Sequence, residues 1–359
     1  MLNDCKITLN SVQTNIKNGI LNLHLGDDFV LVLTKAMLAL MIGFVLSIIF
    51  GLVFIPIMKK KKVKQTVSVF LRGQHDKKQG TPTMGGFIFI IPTIITVIIL
   101  LLTDKIEWSN NLFIIMFVFL SYGLIGFIDD MLIIKRGHNE GLTEFQKIVG
   151  QLAIALVTFY LLMKSGHDPV LNIHSLGIKI DMAWFYGIFL LFILVASSNA
   201  VNITDGLDGL AGGLSLIVFL ALGLITWNTG WLTGNESIAV FCFILVGSLL
   251  GFLFFNTNPA KIFMGDVGSL SLGATMAVIS VLTSHEVTFI ILAGVFIIET
   301  LVCIIQMASI MIRNKKVFLM TPLHHHYEKL GWEERDIVKV FWIGGILLAM
   351  TGVMFGVWF

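Results

Sequence analysis

Five carboxylates carry the main chemical signal in this chain. Asp129 and Asp130 stand side by side, Asp205 and Asp208 lie three residues apart, and Asp266 sits between Gly265 and Gly268. Each falls at or near the end of an apolar run. A carboxylate at the edge of hydrocarbon is costly unless it coordinates a cation, pairs with a charge or faces water. The adjacent pair has a further consequence. Neighbours on a helix point about 100° apart, so one carboxylate can bind or act as base while the other anchors a lysine. Two crowded carboxylates also repel, which favours a nearby cation. A lone acid in a glycine-flanked turn suits Mg²⁺, which takes one or two carboxylates and completes its shell with phosphate oxygens and water. Any one of these acids alone also reads as a solvated helix cap; the whole set does not.

Between 199 and 210 the chain reads NAVNITDGLDGL, placing Asn199, Asn202, Asp205 and Asp208 three residues apart. Such steps stay on neighbouring faces of a helix. Gly206 and Gly209 release the backbone near its end, so the polar stripe runs from helix into loop. Amides and carboxylates around a glycine-rich turn suit a nucleoside base and ribose hydroxyls. From 256 to 271 the chain reads NTNPAKIFMGDVGSLS. There Pro259 breaks the helix and Phe263 offers a stacking face. Lys78 precedes Thr81, Pro82, Thr83, Met84, Gly85 and Gly86; lysine, hydroxyls and free backbone N–H groups at a helix start can hold phosphate. The spacing is not that of a P-loop, and an ordinary helix start reads the same way. His324, His325 and His326 are consecutive. Successive histidines do not easily converge on one metal, so hydrogen bonding to phosphate fits them better than zinc, with a solvated loop as the plain alternative.

Membrane helices must position these groups. The chain has 359 residues, 56% of them hydrophobic and 13% charged, and a mean hydropathy of +0.92. Soluble domains carry roughly 25% charged residues, so too little charge remains here to coat soluble bodies. The net charge of +2 is too balanced for a nucleic-acid binder. Cys5, Cys242 and Cys303 cannot build a disulfide framework. A helix needs about 20 apolar residues to cross ~30 Å of hydrocarbon. Segments 29–57, 84–103, 110–128, 147–163, 182–200, 209–227, 237–255, 267–283, 286–312 and 337–359 meet or approach that length. The expected fold is all-α, a polytopic membrane protein of about ten transmembrane helices. Residues 1–28 form a polar leader and 29–359 a single transmembrane domain with five cytoplasmic loops.

Lysine and arginine set the orientation. Loops after the odd-numbered spans hold Lys59, Lys60, Lys61, Lys62, Lys64, Arg72, Lys77, Lys78, Lys135, Arg136, Lys147, Lys261, Arg313, Lys315, Lys316, Lys329 and Arg335. The opposite side holds only Lys6, Lys17, Lys105, Lys164 and Lys179. The odd loops, and with them all five acids, are therefore expected at the cytoplasmic face, with both termini extracytoplasmic. In 166–181, Val170, Ile173, Ile178 and Ile180 flank Gly177, a pattern for a small extracytoplasmic hairpin. Segment 286–312 would be about 40 Å long as one helix, ~10 Å more than the hydrocarbon. The segment must tilt strongly or break: a break near Glu299 is expected, with the second half leaning away to open a lateral apolar groove toward the acids, and one long tilted helix with Glu299 hydrogen-bonded inside the bundle is the plain alternative.

Segments 78–86, Asp129–Asp130, 199–210, 256–271 and 322–328 resemble, in order and on one face, the five cytoplasmic motifs of the phospho-N-acetylmuramoyl-pentapeptide-transferases. These belong to the polyprenyl-phosphate N-acetylhexosamine-1-phosphate transferases, and the His triplet after Thr321, Pro322 and Leu323 favours them over their sister families. The resemblance covers about residue 30 to the end. It implies transfer of phospho-MurNAc-pentapeptide from UDP-MurNAc-pentapeptide to undecaprenyl phosphate, giving lipid I and UMP, with Mg²⁺, by a homodimer among the lipids of a bacterial inner membrane. It makes Asp266 the Mg²⁺ ligand and Asp129 and Asp130 the catalytic acids. Asn199, Asn202, Asp205, Gly206, Leu207 and Asp208 match the nucleoside side, with Phe263 stacking on uracil. Lys78, Thr83, Asn256, Gln306 and His325 match residues reaching the sugar-phosphate side, His324 and His326 are expected to bind substrate beside them, and Lys147 matches a substrate-side lysine that follows the paired acids.

One position departs from the pattern. The family usually carries lysine three residues after the second acid, and this chain has Ile133. Lys135 is the nearest substitute in sequence, on another helix face. Two rival readings differ in what they demand. A sister transferase would accept a different UDP-sugar, whereas an ion-coupled transporter would place its site near mid-membrane at broken helices, not at one face.

Overall fold

A computed structural model of the chain describes residues 34–60, 80–136, 141–173, 176–228 and 235–357. The leader 1–28 and Lys78 lie outside the described residues. The helices are α1 (Thr34–Lys60), α2 (Phe87–Leu102), α3 (Asn110–Arg136), α4 (Glu144–Lys164), α5 (Phe185–Thr204), α6 (Leu210–Asn228), α7 (Asn235–Asn256), α8 (Asp266–Leu282), α9 (Glu286–Leu292), α10 (Gly294–Arg313), α11 (Leu323–Lys329) and α12 (Glu334–Val357). Eight are long and apolar enough to cross a membrane, and α2 and α8 are shorter apolar helices. Every segment expected to span is thus helical, and the chain is a polytopic all-α membrane protein.

The exception to helix is the hairpin between α4 and α5. β1 (Val170–Ile173) pairs antiparallel with β2 (Ile178–Asp181), Val170 opposite Asp181 and Ile173 opposite Ile178. Beneath it the His167 Nε2 lies 3.0 Å from the Tyr186 hydroxyl, which donates to Glu286 Oε1 at 2.7 Å. Burial lowers the pKa of the His167 ring from the ordinary imidazole value.

The ninth span breaks earlier than expected. α9 ends at Leu292 and α10 begins at Gly294, five residues before Glu299. Ala293, at φ −84° and ψ 8°, is the joint. Hydrogen bonds still run across it, from Ala293 N to Phe289 O (2.8 Å) and from Ile297 N to Ala293 O (3.0 Å). The joint is therefore a kink beside a glycine, the residue least committed to helix. Glu299 stays inside α10 and finds its partners at the start of α11. The short α11, carrying the three histidines, falls in a stretch that reads as loop.

α8 forms the axis of the molecule. All of its residues from Val267 to Leu282 are buried, as expected of a helix that is apolar on every side. Small hydroxyls knit the neighbouring helices: Ser47 Oγ on α1 lies 2.8 Å from the Ile88 and Ser248 carbonyls, and Thr93 Oγ1 on α2 donates to Ser248 Oγ at 3.0 Å. Such contacts replace the hydrophobic driving force that helices in lipid lack.

Candidate active site

Gly126 explains how the acids meet. A Cβ at this position would overlap the Asp266 backbone, so α3 rests directly on the start of α8. Asp129 and Asp130 follow Gly126 by three and four residues, on the same side of α3. Both therefore project at the α8 N-terminus. Asp130 Oδ2 accepts the Val267 N–H at 3.2 Å, acting as a cap supplied by another helix. Gly265, at φ +74°, turns the chain into α8 where a side chain would strike Asp130 Oδ2 and Thr83 Oγ1. Asp129 Oδ1 accepts the Leu142 N–H at 2.8 Å, and its carboxylate lies against that of Asp266.

One ammonium faces this group. Lys147 Nζ, on α4, is 2.7 Å from Asp266 Oδ2 and 3.5 Å from Asp129 Oδ1. Its placement follows from the Thr143 capping box, which starts α4 immediately before it. Asn202 Nδ2 donates to Asp266 Oδ1 at 2.8 Å and to Ser269 Oγ at 2.9 Å. The cation beside the acid pair is thus Lys147; Lys135 is exposed, and Ile133 brings no charge. Three crowded carboxylates with one lysine leave an excess of negative charge at the membrane edge.

That excess suits a divalent cation. Among the described residues no three acids, histidines or cysteines form a closed metal cage. Asp266 beside Asp129 instead makes an open site, and the buried Thr83 Oγ1, which faces Gly265 together with Asp130 Oδ2, has no hydrogen-bond partner. An open carboxylate site with an orphaned hydroxyl at the turn beside it fits Mg²⁺ with a phosphate oxygen, since Mg²⁺ keeps several non-protein ligands.

The polar stripe from 199 to 208 divides three ways. Asn199 turns to α4, donating to Gln151 Oε1 at 2.8 Å, one turn beyond Lys147. Asn202 holds Asp266. Asp208 turns away from the acids, and its Oδ2 accepts from Ala260 N at 3.0 Å and Asn258 Nδ2 at 3.2 Å. Glu334 at the start of α12 completes that knot, accepting the Asp208 N–H at 2.7 Å and Asn258 Nδ2 at 3.0 Å. Asn256 ties the same two loops through the Gly209 N–H (3.0 Å) and the Ile262 carbonyl (2.9 Å). Asp205 and Gly206 are half-buried at the end of α5, Leu207 is buried, and Phe263 stands half-buried two residues before Gly265. Asp208 and Asn256 are therefore engaged in tying the loops after α5 and α7 together, and Glu334 is a residue that sequence reasoning missed.

The histidines also separate. His324 Nδ1 lies 3.1 Å from Glu299 Oε1, His325 Nδ1 meets Glu328, and His326 Nδ1 accepts the Leu319 N–H at 3.2 Å. They do not converge on one point. Gln306 is likewise engaged, its Oε1 taking the Val317 and Phe318 N–H groups at 2.9 and 3.0 Å.

An apolar groove of about 390 Å³ lies between α5, α8 and the kinked α9–α10 pair. Ala196, Ala200 and Val201 line it from α5, and Ala293, Ile297 and Ile304 from the other wall. Val201, the last α5 residue of this lining, precedes Asn202 in the chain.

Comparison with known proteins agrees with this arrangement. Residues 112–284, which carry Asp129, Asp130, Lys147, Asn202 and Asp266, match the model of glycosyl transferase family 4. The chain is 44% identical over 322 residues to the phospho-N-acetylmuramoyl-pentapeptide-transferase of Geobacillus thermodenitrificans, covering 89% of this chain and 98% of that one. It is 42% identical over 320 residues to the enzyme of the same name from Bacillus subtilis, covering 89% and 97%. Near-complete coverage at this identity, over a fold whose acids meet at one end of the bundle, means that the chain belongs to the phospho-N-acetylmuramoyl-pentapeptide-transferase family.

Proposed function

We propose that this chain transfers phospho-MurNAc-pentapeptide from UDP-MurNAc-pentapeptide to undecaprenyl phosphate, releasing UMP, at the cytoplasmic face of a bacterial inner membrane. The observation that carries this reading is the meeting of Asp129, Asp266 and Lys147, with an apolar groove along α5 as far as Val201, the residue before Asn202. A lipid phosphate can arrive along the groove while a water-soluble nucleotide enters from the open side. In the transfer, an oxygen of the lipid phosphate attacks the sugar-linked phosphorus of the donor, and the bond from that phosphorus to UMP breaks with UMP taking the electron pair. Phosphoryl transfer needs alignment and charge neutralisation more than a strong nucleophile. Lys147 supplies fixed positive charge, and Asp129 is placed to take any proton left on the attacking phosphate. Asp130 holds the α8 N-terminus, and so Asp266, in place. Asp266 with Thr83 would hold Mg²⁺, whose chemistry is to neutralise charge on the diphosphate.

The test is UMP release by purified protein in nanodiscs with undecaprenyl phosphate and Mg²⁺. Release from UDP-MurNAc-pentapeptide at a rate at least tenfold above that from UDP-GlcNAc is expected. The reverse preference would assign the chain to a sister transferase. Solute flux with no UMP release would point to a transporter.

A further inference from the structure

One face of α10 is devoted to the segment that carries the histidines. Glu299, Gln306 and Ser309 are all buried on it. Ser309 Oγ donates to the Lys315 carbonyl at 2.8 Å, and Gln306 grips the backbone of Val317 and Phe318. Glu299 completes the series: its Oε2 accepts the Leu323 N–H at 2.7 Å, and its Oε1 lies 3.2 Å from His324 N and 3.1 Å from His324 Nδ1. Gln306 shows that a neutral amide suffices to hold backbone here. The carboxylate at 299 adds something an amide provides less well, an acceptor-only group that takes a ring N–H beside two backbone N–H groups.

The other edge of the ring is what makes this consequential. His324 is fully buried, and its Nε2 has no hydrogen-bond partner. It presses on Gly206, where a Cβ would overlap Nε2. A buried polar atom without a partner costs about 1–3 kcal/mol, and this one is aimed at the loop that opens the nucleoside pocket. A neutral imidazole has one donor and one acceptor nitrogen, and the bond made by the first decides which the second is.

We propose that Glu299 is a positioning residue that fixes His324 as its Nδ1–H tautomer, so that the Nε2 lone pair accepts a hydrogen bond from an N–H or O–H of the donor's nucleoside. This rests on the proposed UDP-sugar donor, and deepens it by naming a specificity contact and what orients it.

The experiment uses full-length protein in nanodiscs with ¹⁵N-histidine, the His324 signals being assigned by difference from His324→Asn. In the wild type, Nδ1 should be protonated and Nε2 bare, and added UDP should move the Nε2 resonance. Glu299→Gln should abolish the single-tautomer signal and raise the donor KM at least tenfold, with the lipid KM and kcat changed less than threefold. His324→Asn keeps a donor near the Nδ1 position and deletes Nε2, so it should raise the donor KM similarly. The double variant should be no worse than either single one, as residues acting through one contact are non-additive. An Nε2–H tautomer in the wild type, an Nε2 signal unmoved by bound UDP, or additive losses in the double variant would overturn the proposal. Should Glu299→Gln not fold, the wild-type tautomer and the His324→Asn donor KM still decide it. Failure of the wild type to bind UDP at all would instead overturn the donor reading on which it rests.

Discussion

Lys147 is the residue on which the charge balance of the site turns. Its ammonium is the cation found between Asp129 and Asp266 among the described residues, and it is mostly buried. Removing one partner from a buried ion pair costs about 3–5 kcal/mol because the other charge is left uncompensated. Lys147→Met should therefore lower kcat on the order of 100-fold or more, read from initial UMP release on protein whose melting temperature is checked alongside; activity within threefold of wild type would remove Lys147 from the chemistry. The acids were legible from the sequence because their spacing and their shared face are local facts. Lys147 was legible only by resemblance, since it reaches Asp266 from a different helix, 119 positions away in the chain. The stripe from Asn199 to Asp208 misled for a related reason. Three-residue spacing says that side chains share a side of one helix, and says nothing of which neighbour each then finds.

Element by element, hydrophobic length located every span, and the alternation around Gly177 located the hairpin. The kink at Ala293 was harder to place, because the chain there is apolar on both sides and the acid that drew attention, Glu299, is satisfied by the first turn of α11. α11 escaped notice since its seven residues are mostly polar and have no span to fill. Glu334 escaped because an acid in the first turn of a helix ordinarily serves only that helix. Here it reaches across to the 205–209 and 257–261 loops, while Arg335 Nε donates to Asn258 Oδ1 at 3.0 Å and Trp342 Nε1 to the Gly209 carbonyl at 3.3 Å. α12 thus anchors these two loops, which the resemblance assigns to the nucleoside. Glu334→Ala leaves the Asp208 N–H without that acceptor, a loss of about 1–2 kcal/mol. The donor KM should rise roughly tenfold, since 1.4 kcal/mol is a factor of ten, with little change in the lipid KM. A donor titration at saturating lipid that matched wild type would contradict this role.

Over the whole molecule, the proposed function brings two routes to one point. The α9–α10 kink and the small residues of α5 leave an apolar groove whose lining on α5 runs to Val201, the residue before Asn202, which holds Asp266. Filling that groove should impair one substrate only. Ala196→Trp is expected to raise the KM for polyprenyl phosphate several-fold while the donor KM stays within twofold, measured by varying each substrate in nanodiscs; equal effects on both would mean that the groove is not the lipid's path. The central claim is that the two routes converge on Asp266, and one measurement tests it most directly. Purified wild type and Asp266→Asn are each incubated with UDP-MurNAc-pentapeptide, undecaprenyl phosphate and a series of Mg²⁺ concentrations, and lipid-linked product and UMP are quantified together. The account predicts equal amounts of both products from the wild type, dependent on Mg²⁺ and on the lipid, and a loss of at least 100-fold in the variant at every Mg²⁺ concentration, since Asn keeps the shape but not the charge that holds the ion. Product formation by Asp266→Asn at the wild-type rate and with the wild-type Mg²⁺ dependence would contradict it.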